Sequence, residues 1–522
     1  MLPIVAAPLV IKNFCSLFET IFERPEQQNN FESIITALCV SKNKTIAGLH
    51  QQLFTGVTYN SLHHFMSESP WSVEKLQEQR IKYVKERIGK IKNYDSPLRF
   101  SIDECSVEQA KIHNGSLVTQ DGKISECVSM PVDNADEECE PQKRKTIVQD
   151  SRELSTNNRQ LKLRDKLDGL TIVAIDSTFV HHTSEDIYGV YWYWNYAKRC
   201  YVKAQKLVLS ALVTSTKLVP LGWKLYHRGF LEEQKLYLEA MKPASDVEQA
   251  IFDDYNELVK IYEQNQEEHK TQNELAAELV DECERSGLCV DVYVIDGGFA
   301  DPELMKQIDM HQKAWITKLA KSRLVQTKKG GFETIESFAK SLPKDWFKEI
   351  EVQTRHGEER KYYVFSKCVQ VKGWDKLRVV ISYDNKELEG EPIYLITNKT
   401  NWVQPEKIVQ PYLRRDPIEH LIRDEKQELG LESSQQRKED GVRKHWELSF
   451  VAHTFLELGF EVPDLPGVPS VRLETLGQKR RVISGAILYG LLNCVEQMVL
   501  EGADLKEFFK QIMTRRLNRL AT

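Results

Sequence analysis

The stretch Leu170-Thr-Ile-Val-Ala-Ile-Asp176 decides the fold, because it is an apolar run that ends on an acid. A second stretch, Val290-Asp-Val-Tyr-Val-Ile-Asp296, alternates as a strand does and also ends on an acid, after which Gly297-Gly298 turns the chain. The two patterns predict strands that each deliver an aspartate at the C-terminal end. Oxygen ligands placed in this way suit a divalent cation. A single strand-end aspartate is more often a helix cap or a loop hydrogen-bonder, so a third element is needed.

The third element is the segment Tyr412-Leu-Arg-Arg415-Asp-Pro-Ile-Glu419-His-Leu-Ile-Arg-Asp-Glu-Lys426. Its Asp-Pro pair predicts an N-cap followed by the first helical position, which puts Glu419 in the first turn, where the helix dipole favours a carboxylate. Arg423 and Lys426 follow at helical spacing and are expected on the same side as Glu419. A solvated helix with surface ion pairs is the other interpretation of this charge cluster.

The spacing of Tyr412, Arg415, Glu419 and Lys426 resembles the YREK signature of bacterial insertion-sequence DDE transposases. The resemblance implies an α/β fold with a ribonuclease-H-like mixed sheet flanked by helices. It also implies that Asp176, Asp296 and Glu419 are the catalytic, metal-binding acids. The expected cofactor is a pair of Mg²⁺ ions, for which Mn²⁺ substitutes, and the expected reaction is DNA strand cleavage followed by strand transfer.

The same resemblance implies partners. They are double-stranded DNA, as the terminal inverted repeats of the element and its target, and a second copy of the chain in a synaptic homodimer. Tyr412, Arg415, Arg423 and Lys426 are the expected DNA-binding residues. One departure from the family pattern concerns the second aspartate, which is followed here by Gly297-Gly298, where a basic residue often stands in relatives.

Hydrophobic periodicity and composition along the chain predict several structural units. They are a helical N-terminal DNA-binding domain at 1–100, a polar flexible linker or insertion at 101–165, a catalytic domain at 166–320 and 400–460, a β-rich insertion subdomain at 321–399 and a helical C-terminal region at 461–522. Packing alone is the other interpretation of the N-terminal helices, whose last part is compatible with a helix-turn-helix reader. One long charged helical stretch is expected from Glu232 to Arg285.

Composition limits the functional classes. The net charge of -6 argues against a protein that coats nucleic acid over its whole surface, although 71 Lys and Arg leave room for local basic patches. No apolar run is expected to approach the roughly 18 to 20 residues of a membrane span, so the expected location is cytoplasmic and nucleoid-associated, with no membrane partner. The candidate DNA-binding cations are Lys198, Arg199, Lys203, Arg437, Arg443, Lys444, Lys479, Arg480, Arg481, Arg515 and Arg516.

Three alternatives stay open at this point. A domesticated transposase would bind DNA without cutting it, and another ribonuclease-H-like nuclease would act on different DNA. A carboxylate-based sugar hydrolase is the third, but it offers no role for Arg415 and Lys426. Trp346, Trp374 and Trp402 lie in or beside the β-rich insertion, where the family resemblance suggests stacking on a flipped base and core packing is the other interpretation.

Overall fold

A computed structural model describes residues 3–95, 169–227, 229–243, 249–326, 330–353, 358–460, 473 and 475–517. The predicted linker at 101–165 lies outside these described residues. Met1–Arg87 and Leu167–Thr522 belong to one compact unit, and Ile88–Lys166 form a second, described only through the end of a helix.

The N-terminal region is helical, as its sequence pattern predicts. Its helices are α1 Leu9–Cys15, α2 Pro25–Val40, α3 Ile46–His50, α4 Tyr59–Ser67 and α5 Val73–Asp95. Helices α3 and α4 are each capped by a threonine: the Thr45 hydroxyl accepts from Gly48 N and the Thr58 hydroxyl from Ser61 N. Between them the chain turns at Gly56, which has a positive φ of 80°.

A ten-stranded sheet forms the centre of the unit, and a separate two-stranded sheet adjoins it through a bridge between Val325 and Val371. The strands are β1 Ile172–His181, β2 Tyr191–Asn195, β3 Cys200–Val213, β4 Leu218–Tyr226, β5 Val292–Ile295, β6 Ala314–Lys318, β7 Leu324–Gln326, β8 Phe332–Thr334, β9 Lys348–Gln353, β10 Glu359–Gln370, β11 Lys376–Tyr383 and β12 Ile393–Thr397. The order in the large sheet is β2-β3-β1-β5-β6-β12-β11-β10-β9, with β4 also paired to β3.

The large sheet is mixed. Strand β1 runs parallel to β5, and β5 runs parallel to β6, whereas the other pairs are antiparallel. Helices flank this sheet, which confirms the predicted α/β class and is consistent with a ribonuclease-H-like DDE fold. Strands β9 to β12 of the predicted insertion continue the catalytic sheet, because β12 pairs with β6, whereas β7 and β8 do not belong to it.

The helices after the first strands also have definite bounds. They are α6 Gly229–Met241, α7 Gln249–Glu268, α8 Gln272–Arg285, α9 Pro302–Met310, α10 Ile335–Lys340, α11 Glu406–Leu413, α12 Pro417–Asp424, α13 Glu439–Thr454, α14 Leu476–Leu500 and α15 Leu505–Leu517, with π-helical turns at Glu425–Leu429 and Phe455–Gly459. The long helical stretch predicted from Glu232 to Arg285 is therefore several helices, and Thr271 starts the last of them through a capping box with Glu274.

Helix α14 is apolar and largely exposed, with Leu492 and Leu500 facing solvent. By length and composition it is one candidate membrane span in the described part of the chain. It corrects the expectation that no apolar stretch approaches that length. Length and composition are weak criteria, because helices of soluble proteins also pass them, so this helix does not establish a membrane span.

Candidate active site

Asp176 lies in the middle of β1, which corrects the prediction that it ends the strand. The strand continues to His181 because the residues after the acid keep pairing with β3, as far as His181 opposite Ala204. The Asp176 carboxylate is mostly buried, and its Oδ1 accepts a hydrogen bond of 2.7 Å from the next backbone N–H, that of Ser177. Burial and this bond hold the carboxylate in one orientation.

Asp296 follows the last residue of β5, as predicted. Its carboxylate accepts from Gly298 N at 3.0 Å and caps the short turn Gly297–Phe299. A Cβ at Gly297 would lie 3.1 Å from the backbone oxygen of Lys318, and a Cβ at Gly298 would lie 3.2 Å from the Asp296 carboxylate. The glycine pair therefore lets β6 and the acid approach the turn closely, which accounts for two small residues after the second aspartate.

Glu419 stands in the first turn of α12, and Arg415 lies two residues before the first residue of that helix, Pro417. The Arg415 guanidinium contacts all three predicted acids: Nη1 lies 3.2 Å from Asp176 Oδ2 and 2.9 Å from Asp296 Oδ1, and Nη2 lies 3.5 Å from Glu419 Oε1. Parallel strands carry the aspartates to one end of the sheet, and α12 brings the glutamate there. Three separated chain segments thus converge on one cation.

Electrostatics favours a positive charge among these acids. The pKa of Asp176 is raised to about 6, chiefly by burial; Arg415 lowers this pKa, whereas the neighbouring Asp296 and Glu419 contribute to raising it. Within the described residues no group of three or more His, Cys, Asp or Glu side chains is arranged to hold a metal ion. The carboxylate oxygens have the chemistry that a hard divalent cation requires, but the Arg415 guanidinium now lies between them.

Lys426 does not join the acids. Its ammonium donates to the backbone oxygen of Phe179 and lies 3.3 Å from Glu432 Oε1, which also accepts from His181 N at 3.2 Å. These contacts lie along the edge of β1 beyond the end of its pairing with β5, where backbone groups would otherwise lack a strand partner. Lys426 and Glu432 therefore clamp the last part of β1.

The remaining residues of the motif differ in exposure. Arg423 is about half exposed and lies 3.8 Å from its neighbour Asp424, so it is free of the three acids. Tyr412 is buried, and burial raises the pKa of its hydroxyl, with Arg415 opposing and Asp296 adding to the shift. The Asp416 backbone caps α12 as predicted, but its side chain makes no capping hydrogen bond.

Several of the candidate DNA-binding cations have structural partners. Lys444 and Lys479 are buried, the first donating to Ser69 O and the second lying 2.6 Å from Glu457. Arg480 donates to the backbone oxygens of α2 and its C-cap and pairs with a glutamate. The side chains of Arg515 and Arg516 lie outside the described residues.

The tryptophans of the insertion take different positions. Trp374 is buried, with its ring 5.9 Å from that of Trp315, which fits core packing. Trp346 is partly exposed and stacks on Phe365 at 6.1 Å. Flipped-base stacking by Trp346 stays a prediction.

Comparison with known proteins connects this geometry to a family. The family model described as "Transposase DDE domain" matches residues 257–455, which include Asp296 and Glu419. The model described as "DDE superfamily endonuclease" matches residues 145–334, which include Asp176 and Asp296. The two matches overlap and together span the converging acids. A search of curated proteins gave no significant match. The two matched domains support a DDE transposase, a DNA-cleaving enzyme of a family that depends on divalent metal ions in general.

Proposed function

We propose that Asp176, Asp296 and Glu419 are the catalytic acids and together hold two Mg²⁺ ions, with Mn²⁺ as a substitute. One observation carries this assignment: the three carboxylates come from β1, the turn after β5 and α12, and all contact the same guanidinium. Because the three carboxylates surround one guanidinium cation, the site carries the negative charge that binding of divalent cations requires.

The proposed reaction is cleavage of an insertion sequence from its flanking DNA, followed by joining to a target. Bound divalent ions supply positive charge at the attacking and leaving oxygens. Water attacks the scissile phosphorus as the bond to the 3′ oxygen breaks, giving a 3′-hydroxyl and a 5′-phosphate. That 3′-hydroxyl then attacks a target phosphodiester, and the target's own 3′ oxygen leaves as a hydroxyl. Asp176 and Asp296 are fixed by backbone donors, so their carboxylates keep one geometry through both steps.

The basic and aromatic residues of the motif are proposed to hold the DNA backbone. Arg415 has the planar fork of donors that fits a phosphate, and its Nε has no hydrogen-bond partner within the described residues. Arg423 is exposed enough to meet a phosphate directly. The buried Tyr412 would help to position the neighbouring Arg415 guanidinium. Lys426 would contact a phosphate only after its ion pair with Glu432 breaks.

Terminal inverted repeats and target DNA are the proposed substrates, and the proposed location is the cytoplasm, on the nucleoid. A homodimer is the proposed active assembly. The exposed apolar face of α14 supports self-association. Leu492 and Leu500 are 57% and 79% exposed, and a second copy of the chain would bury this apolar surface away from water.

The test is a cleavage assay on a duplex that carries the inverted repeat flanking the gene, in Mg²⁺ and in Mn²⁺. Asp176→Asn, Asp296→Asn and Glu419→Gln should each lower the cleavage rate by at least about a thousandfold, since each removes a charge that stabilises the transition state. Gels that resolve nicked, cleaved and joined products measure the rates.

The matched control is Asp301→Asn, at the N-cap of α9. Asp301 Oδ1 accepts from Glu303 N and Leu304 N, and asparagine caps a helix equally well, so cleavage should be unchanged. Equal cleavage by the wild type and all three site variants would refute the assignment.

A further inference from the structure

We infer that the hairpin made of β2 and the start of β3 is a second DNA-binding surface, which holds the duplex about 20 Å from the catalytic acids. The inference rests on the proposed function, because it takes the scissile phosphate to lie at Asp176.

Large aromatic side chains are exposed on this hairpin. Trp192, Trp194, Tyr196 and Tyr201 are 49%, 42%, 86% and 64% exposed. Residues of this size are usually buried, and a cluster of them at a surface marks a binding site. The rings of Trp194 and Tyr201 meet edge to face, with centroids 5.2 Å apart. Trp192 lies two residues before Trp194 on the same strand face, so Trp192, Trp194 and Tyr201 form one patch, with Tyr196 in the adjoining turn.

The register of the strands places this patch on the face of the sheet that carries Asp176. Trp192 pairs with Lys203 and Trp194 with Tyr201, and paired antiparallel residues share a face. Lys203 and Leu209 lie six residues apart in β3 (209 − 203 = 6), an even number, so they share a face as well. Leu209 pairs with Asp176.

The same register gives a distance. Six strand residues span about 20 Å at about 3.3 Å each. A duplex rises about 3.4 Å per base pair, so a straight DNA helix that passes both places would meet the hairpin about six base pairs from the cut. The hairpin is therefore suited to hold the flank of the duplex.

Charge favours DNA over a protein partner. Lys198 and Arg199 stand at the tip, exposed, in a loop that is held by a 3.0 Å bond from Lys198 N to Asn195 Oδ1. The Lys203 ammonium lies 5.1 Å from the centroid of the Trp192 ring. Basic side chains next to stacking rings are what a nucleic-acid surface combines.

One acid lies on this surface. Glu185 contacts Lys203 at 2.6 Å and accepts from the Trp192 side chain. Its carboxylate is 66% exposed, and surface pairs of this kind contribute little, so a phosphate would readily replace it as the partner of Lys203. The three cations outnumber this acid.

The test measures DNA affinity of the full chain by fluorescence anisotropy in EDTA, with a labelled random-sequence duplex of about 30 base pairs. The double variant Trp192→Leu/Trp194→Leu should raise the Kd about tenfold through lost stacking. Lys198→Gln/Arg199→Gln should flatten the slope of log K against log salt by about two, because two phosphate contacts are lost.

The matched controls lie on α6, where Tyr237 and Lys235 are also exposed. Tyr237→Leu and Lys235→Gln should leave both quantities unchanged. An inverted-repeat duplex whose flank extends only about four base pairs beyond the cut is too short to reach the hairpin, which lies about six base pairs away. The wild type and the double variants should bind it equally.

Wild-type affinity in a correctly folded Trp192→Leu/Trp194→Leu variant, checked by circular dichroism, would overturn the inference. A lower molar mass in light scattering with unchanged DNA affinity would also overturn it and would assign the patch to a second copy of the chain. Failure of the proposed function is separate: it would appear as cleavage by the Asp176, Asp296 and Glu419 variants, whatever the hairpin variants do.

Discussion

Arg80 of α5 and Glu447 of α13 form an ion pair of 2.6 Å, with neither side chain exposed. The Arg80 guanidinium also donates to the backbone oxygens of Pro220 and Leu221 in β4, and the Trp223 indole donates to Glu447. One buried arginine thus joins the N-terminal helices, the sheet and α13. The N-terminal helices are therefore a packed part of the catalytic unit.

Removing Arg80 alone should be severe. Arg80→Met leaves the Glu447 carboxylate buried without its cation, and such losses cost about 3 to 5 kcal/mol of unfolding free energy. The double variant Arg80→Met/Glu447→Leu should recover most of that cost, because no lone charge remains. Urea unfolding followed by tryptophan fluorescence measures both, with the exposed Lys82→Met as control. A double variant as unstable as Arg80→Met would contradict this account.

Neutralising Asp176 should stabilise the metal-free protein at high pH. The pKa of Asp176 in the folded protein, raised to about 6 mainly by burial, exceeds the roughly 3.9 of an unfolded aspartate, so the folded state binds the proton more tightly. The stability that this proton provides is full below about pH 4 and is lost as the pH rises through about 6. Asp176→Asn should therefore be more stable than wild type by up to about 3 kcal/mol at pH 8 in EDTA, and equally stable below pH 4. Urea denaturation at several pH values measures the difference in unfolding free energy between the two proteins. A less stable Asn variant at pH 8 would show that the attraction of Asp176 to Arg415 outweighs the cost of its burial.

Arg415 and a divalent ion should compete. In Arg415→Gln the three carboxylates lose their shared cation, so the melting temperature in EDTA should fall at pH 8. Mn²⁺ should then bind about tenfold more tightly than to wild type, a difference of about 1.4 kcal/mol. Differential scanning fluorimetry and calorimetric titration with Mn²⁺ measure this without any DNA. Arg423→Gln, on α12 and paired only with its neighbour Asp424 in the contacts described above, should behave as wild type. Identical Mn²⁺ affinities for Arg415→Gln and wild type would rule out competition.

Glu432 should protect the end of β1. In Glu432→Ala the His181 amide loses the acceptor at 3.2 Å and Lys426 loses its ion pair, so that amide should exchange with solvent at least about tenfold faster. Glu432→Gln keeps an acceptor and should preserve most of the protection. Hydrogen exchange by mass spectrometry measures the peptide, with the exposed Glu185→Ala as control. Unchanged exchange in Glu432→Ala would show that the clamp is dispensable.

A charge on the exposed face of α14 should weaken self-association. Leu492 and Val499 are both exposed and lie seven residues apart, on one side of the helix. Leu492→Glu/Val499→Glu should lower the molar mass in light scattering from that of a dimer toward that of a monomer. Gln497→Glu, an exposed polar position on the same helix, is the control. An unchanged mass would remove α14 from the proposed interface.

The sequence predicted the elements of the site better than their contacts. Strand patterns identified β1 and β5, and the Asp-Pro pair identified the start of α12. Contact of Arg415 with both aspartates depends on how α12 packs on the sheet, and no local pattern carries that information.

Lys426 illustrates where spacing misleads. Seven residues after Glu419 would return to the same side of a regular α-helix, but the chain changes to a π-helical turn at Glu425–Leu429. The wider turn alters the phase, and Lys426 points to the edge of β1. Likewise, the pairing of β12 with β6 joins strands that are far apart in the chain, which alternation alone does not predict.

The convergence of β1, the turn after β5 and α12 also has a consequence for protein synthesis. A ribosome that has released β1 and β5 has delivered only two of the acids, and Arg415 and Glu419 emerge after the whole run of strands from β7 to β12. Polypeptides interrupted before that point would contain both aspartates without the arginine and the glutamate that meet them, and under the proposed function they would be unable to cut DNA.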